Sequence, residues 1–119
     1  MIERAEQMHR QFFQPGAAAE PRACWEPPID VFEAERDLVI VVALPGVEPQ
    51  DTAIASELGG LRVVGVRHSP SMPRGSAVHR LEIPYGRFER RIALPAGRWE
   101  VIRSTFANGC LLLNLTKQA

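Results

Sequence analysis

The sequence is poor in most of the features that mark a specialised chain. Lysine is nearly missing: of fourteen cationic residues only Lys117 is a lysine, and the cations balance fourteen acids to a formal net charge of zero. No basic excess is available to follow a phosphate backbone or an acidic lipid surface. The same neutrality offers little repulsion against self-association. There are only two cysteines, Cys24 and Cys110, far apart and without C-x-x-C spacing. Neither a disulfide framework nor a thiolate metal site is indicated. No apolar run approaches the length of a bilayer span. The first residues, Met1 to Glu6, carry acids and lack the apolar core of a secretory signal. The expectation is a reducing, cytoplasmic setting with no membrane span.

Catalytic constellations are equally scarce. His9, His68 and His79 stand apart from one another and from cysteine, outside any metal-ligand spacing. No nucleophile elbow, P-loop or dinucleotide glycine pattern occurs. His79 and Glu82 could pair a base with an acid, but a loop-to-strand junction is the simpler reading. Glu82, Glu89 and Glu100 show no arrangement that marks a carboxylate pair. Arg87, Arg90 and Arg91 beside Tyr85 and Phe88 superficially suggest nucleic-acid binding. Strand alternation divides those arginines between two faces, and the net charge is zero. The chain is therefore expected to be no enzyme, to need no cofactor or metal, and to bind no nucleic acid.

What is present is one domain's worth of chain, 119 residues with 45% hydrophobic and 24% charged side chains, suited to a globular fold. Ile2, Ala5, Met8, Phe12 and Phe13 recur at roughly helical spacing, which predicts a short amphipathic helix, marginal by itself. Pro15-Gly16 ends it. Four of the ten prolines and a run of three alanines fill residues 15–28, the composition of a linker. From Ile29 the texture changes to short strands separated by turn signals. Ile29 to Glu33 alternates. Leu38 to Leu44 is apolar at every position and predicts a strand covered on both sides, preceded by a turn at Arg36-Asp37 and closed by Pro45-Gly46. Thr52 to Ser56, Leu61 to Val66, Phe88 to Leu94, Val101 to Phe106 and Cys110 to Thr116 complete the set, with Asn108-Gly109 as a hairpin signal. Residues 68–78 form a polar loop, long enough for a compact domain to suggest a role. About seven strands of this kind predict an antiparallel, immunoglobulin-like β-sandwich with a helical or disordered N-terminal arm.

Three segments in order carry a resemblance. Leu44-Pro45-Gly46-Val47 precedes Asp51, which opens the next strand. Tyr85-Gly86-Arg87-Phe88-Glu89-Arg90 leads to Leu94-Pro95. Ser104-Thr105-Phe106-Ala107-Asn108-Gly109-Cys110-Leu111 runs on to Lys117. Together these resemble the α-crystallin domain of small heat-shock proteins, over about Ile29 to Lys117, with Ser104 and Cys110 replacing the family's alanine and valine. The division this implies is an arm and linker over 1–28, an α-crystallin domain over 29–117 and a vestigial tail at 118–119. The family's isoleucine-x-isoleucine tail motif is missing, so the expected assembly is a dimer or small oligomer.

The resemblance implies an ATP-independent holdase that binds partly unfolded clients and limits aggregation under stress. The alternative is a protein-binding adaptor with the related CS-type sandwich. It implies a dimer through the 68–80 loop, with Arg90, Tyr85, Phe88 and His79 at the interface. Arg90 is the most informative of these. It shares a strand face with Phe88, Ile92 and Leu94, and a charge there must be paired or reach water. Met8, Phe12 and Phe13 either pack on the domain or form an exposed client-binding arm; the linker favours the arm. Ile54, Ile102 and Thr105 are expected to line the family's groove between two strands.

Overall fold

A computed structural model describes residues 25–119. Seven strands and one short 3-10 turn follow in order: β1 (Ile29–Ala34), β2 (Asp37–Ala43), the turn Pro49–Asp51, β3 (Thr52–Glu57), β4 (Gly60–Arg67), β5 (Gly86–Ala93), β6 (Trp99–Ala107) and β7 (Cys110–Lys117). They form two antiparallel sheets, β1-β2-β7-β6 and β3-β4-β5. The fold is the β-sandwich expected from the strand pattern.

Alternation builds the core. Leu38, Ile40 and Val42 of β2 stand opposite Leu115, Leu113 and Leu111 of β7, so all six share one face. Leu61 and Val63 of β4 with Phe88 and Ile92 of β5 face them from the other sheet, and every one of the ten is at most 3% exposed. Side chains of this size contribute about 1.5–3 kcal/mol each when fully buried. Leu44 and Val47 plug one end of the sandwich. They sit in the turn Leu44-Pro45-Gly46-Val47, held by bonds from Leu44 N–H to the Gly109 carbonyl (2.9 Å) and from Val47 N–H to the Leu44 carbonyl (3.2 Å).

Two local expectations need correction. The second face of β2 is not covered among the described residues: Val39, Val41 and Ala43 are half-buried. They lie on the outside of a two-layer fold, where β-branched residues suit the pleated surface without needing a third layer. The first hairpin turns at Glu35-Arg36, because Asp37 already pairs with Ala34. Glu35 takes a φ of 52° there, a conformation that favours glycine or asparagine. The second hairpin has the residues its geometry asks for: Asn108 (φ 54°) and Gly109 (φ 74°) both occupy the left-handed region. Among the described residues no helix is long and apolar enough to cross a membrane.

Candidate functional site

The sandwich leaves four sheet edges, at β1, β6, β3 and β5. Unpaired edges invite strand addition, so what lies along each decides what the molecule can bind. The β5 edge carries a strap. Trp25 bridges to Phe88 in parallel, its carbonyl accepting from Glu89 N–H (3.2 Å) and its indole N–H donating to the Gly86 carbonyl (3.3 Å). Its ring tilts at 52° against Phe88, with centroids 5.3 Å apart. Pro27 is fully buried behind it.

Arg90 holds this strap. It stands opposite Val63, on the inward face of β5 between Phe88 and Ile92. Its guanidinium lies 3.5 Å from the Pro27 carbonyl and 4.0 Å from the Glu26 carboxylate, both long contacts, and 30% of the side chain meets solvent. The charge is thus met by a carbonyl, an acid and water together, all contacts of its own chain. Arg87 and Arg91 point to the other face. There Glu57 and Glu89 pair with Arg62 (3.3 Å), Arg87 (3.5 Å) and Arg91 (3.2–3.4 Å) in an ionic lattice. This is the division between faces that alternation predicted.

The β1 edge has a different character. Phe32 is 60% exposed and Val31 is exposed beside it. The long loop is also apolar where it was expected to be polar. It runs from His68 to Tyr85, beyond the Val78 boundary read from the sequence, and every residue from His68 to Pro84 is exposed. Val78, Leu81 and Ile83 are 74%, 73% and 56% exposed, and Met72 is exposed as well. Residues 79–83 alternate as a strand does but pair with no strand among the described residues, so the strand start placed at His79 is a loop segment here.

The sequence-derived interface residues do not gather at one place. His79 is exposed in the loop and Tyr85 is half-buried at its end. Phe88 is fully buried in the core of its own chain, so it cannot present its ring to a partner. Alternation along β5 puts Phe88, rather than Arg87 or Glu89, in the inter-sheet space, opposite Gly65. Of the three groove residues, Ile54 packs on the core with Val101 and Phe106. Thr105 stands opposite Leu112 on the outer face and Ile102 is exposed. A register irregularity between Val101 and Arg103 accounts for the shift. A cleft of about 140 Å³ opens near one end of β3 and β6, lined by Ser56, Glu57, Leu61, Leu94, Pro95 and Trp99 among others. Met8, Phe12 and Phe13 lie outside the described residues.

A model of the Hsp20/alpha crystallin family matches residues 30–119. The chain belongs to that family. Among solved structures it is similar to HspA from Xanthomonas axonopodis, at 32% identity and a TM-score of 0.69, over 81% of this chain and 97% of that one. It is similarly close to a small heat-shock protein from Xylella fastidiosa, at 31% identity and a TM-score of 0.69, over 82% and 90% of the two chains. Heat shock protein 16.0 from Schizosaccharomyces pombe matches at 28% identity and a TM-score of 0.67, over 78% and 87%. No curated protein matches.

Sequence reasoning missed two residues that organise this Hsp20 domain. Trp25 was absorbed into a proline-rich linker, because one aromatic residue among prolines carries no periodicity. Arg67 falls between the strand expected over Leu61 to Val66 and the loop expected from residue 68, and the sequence assigns it no role. In the structure it donates from Nε to the Pro45 carbonyl (2.7 Å) and from Nη1 to the Pro84 carbonyl (3.2 Å), and its guanidinium lies 4.8 Å over the Tyr85 ring. Beside it His68 Nε2 lies 3.4 Å from the Asp51 carboxylate.

Proposed function

We propose that this chain is the subunit of an ATP-independent chaperone, a holdase that works as a dimer or small oligomer in the cytoplasm. The observation that carries the reading is the pairing of unsatisfied surfaces: an exposed apolar segment at Val78, Leu81 and Ile83, and an open edge at Val31 and Phe32. A strand-like segment that pairs with no strand among the described residues finds backbone partners at such an edge in a second copy. The relatives are heat-shock proteins by name, and the one from Xylella fastidiosa has a distinct high order structure. Arg90 and Tyr85 support the interface from within, by holding the strap and the loop base. Client capture falls to Met8, Phe12 and Phe13 on the arm over 1–28, and the α-crystallin unit over 29–117 carries assembly. A groove beside Ile54, distinct from the cleft at Ser56 and Trp99, is a docking place for a tail of another chain. The chemistry asked of the protein is binding alone: apolar surface on partly unfolded clients is covered and the aggregating species is diluted.

Two measurements test this. Suppression of heat-induced light scattering from a model client, without ATP and near stoichiometric ratio, is the expected outcome; no suppression favours the adaptor reading. Deleting Ser71 to Gly75 should weaken the dimer in analytical ultracentrifugation, and an unchanged dimer refutes assembly through the loop.

A further inference from the structure

The eighteen residues from His68 to Tyr85 leave and re-enter the sandwich at one point, where Arg67 of β4 stands opposite Gly86 of β5. Beyond His68, which meets the Asp51 carboxylate at 3.4 Å at the base, contacts inside the loop are local: Ser76 bonds to Pro73, and Arg80 pairs with Glu82 at 3.1 Å. The direction in which so exposed a segment leaves the domain is therefore decided at its base.

A single side chain gathers that base. The Arg67 guanidinium donates to Pro45 in the turn between β2 and β3, donates to Pro84 at the returning end of the loop, and lies over Tyr85. A guanidinium is planar and its donors diverge at fixed angles, so these contacts constrain one another. A lysine has no fork and no flat face: its three donors radiate from one nitrogen, so it cannot reach the two carbonyls from separate nitrogens while lying over the ring. The floor of the site is shaped for the plane. Gly46 has a φ of 78°, and a Cβ built there would lie 3.3 Å from Nη2 of Arg67. Glycine at 46 thus serves the turn and leaves room for the guanidinium. Pro84 follows directly on Ile83, so gripping its carbonyl orients the exposed apolar segment just before it.

We propose that Arg67 is a positioning residue that fixes the exit direction of the 78–83 segment and so sets the affinity of a second copy of this chain for it. The proposal rests on the reading that this loop makes the dimer. Its test uses the full chain with Cys24→Ser and Cys110→Ser, nitroxide labels at Met72→Cys and Leu58→Cys, and labelled chain diluted into unlabelled chain. The intrachain distance distribution is measured by pulsed electron resonance, and dimer dissociation by sedimentation. Both Arg67→Gln and Arg67→Lys should widen the distribution and raise the dimer Kd about tenfold or more, a loss of ~1.4 kcal/mol. An unwidened distribution in both variants overturns the clamp, and full rescue by lysine overturns the fork argument. Widening without loss of dimer affinity overturns the link to assembly. The Ser71 to Gly75 deletion separates the underlying reading: if the dimer survives it, the loop is not the dimer contact, whatever the widths show.

Discussion

Two edges of the same sandwich are treated in opposite ways. Along β5 the chain lays its own residues 25–27 over the exposed backbone, with an aromatic pair beneath and Arg90 as a brace. Its outward face is crowded with paired charge. Along β1 no strap lies among the described residues, and Phe32 and Val31 are exposed. Charge and covering segments are the ordinary means of closing an edge to other chains. An exposed apolar edge is the ordinary sign that something binds there. Among the described residues, one edge is thus covered by the chain's own strap and the other is apolar and exposed, the edge to which the proposed function assigns a partner.

The sharpest way to break this comparison is at the strapped edge. Phe88→Ala removes a fully buried ring that the strap and the opposite sheet share, and should cost about 3–5 kcal/mol in denaturant unfolding. Loss below ~1 kcal/mol would mean that the ring does not organise this edge. Trp25→Ala leaves the sandwich core filled but strips the strap's anchor. It should cost about 1–3 kcal/mol and, by uncovering β5, promote a concentration-dependent association absent from the parent chain. If sedimentation finds no new association, the strap stabilises the domain without guarding an edge.

Much of this frame was legible in the sequence, for a physical reason. Apolar runs of strand length leave a written trace, so Leu38 to Leu44 and Cys110 to Thr116 announced their strands, but in the apolar run of β2 not which face enters the core. Asn108-Gly109 announced its turn because few other residues tolerate both left-handed positions. The functional surfaces were harder to read. Phe88 lay in a motif suggestive of an interface, yet a side chain on an alternating strand can equally enter the core, and only the second sheet decides which. Ile102 and Thr105 are groove residues only by the resemblance, which carries no information on the register irregularity between Val101 and Arg103. Trp25 and Arg67 act through contacts to carbonyls remote in the chain, at Gly86 and Pro84, and such contacts have no local signature.

A middle-sized effect separates two neighbouring arginines. Arg90 faces inward and braces the strap, while Arg91 faces outward, is 64% exposed and joins Glu57 and Glu89. Exposed pairs of that kind contribute little, so Arg91→Ala should change stability by no more than about 0.5 kcal/mol. Arg90→Ala leaves the Pro27 carbonyl without its side-chain donor and an unfilled space beside Phe88, and should cost about 1–2 kcal/mol. It should also perturb assembly and client protection more than the Arg91 variant. Equal and negligible effects of the two in unfolding, sedimentation and light scattering would remove Arg90 from any role at this edge.

The smallest effect is expected at the open edge, in the turn that sets the course of β1. Glu35 sits at a φ of 52° with its side chain in solvent. It pays a backbone penalty that no contact described for it offsets. Asparagine tolerates this region better than glutamate and keeps a polar side chain. Glu35→Asn should therefore stabilise the domain by a few tenths to about 1 kcal/mol. Because the turn joins β1 to β2 without touching Val31 or Phe32, dimer affinity should not change. If it does change, the open edge depends on a strained turn as well as on its apolar residues, and the two edges differ in backbone geometry as much as in cover.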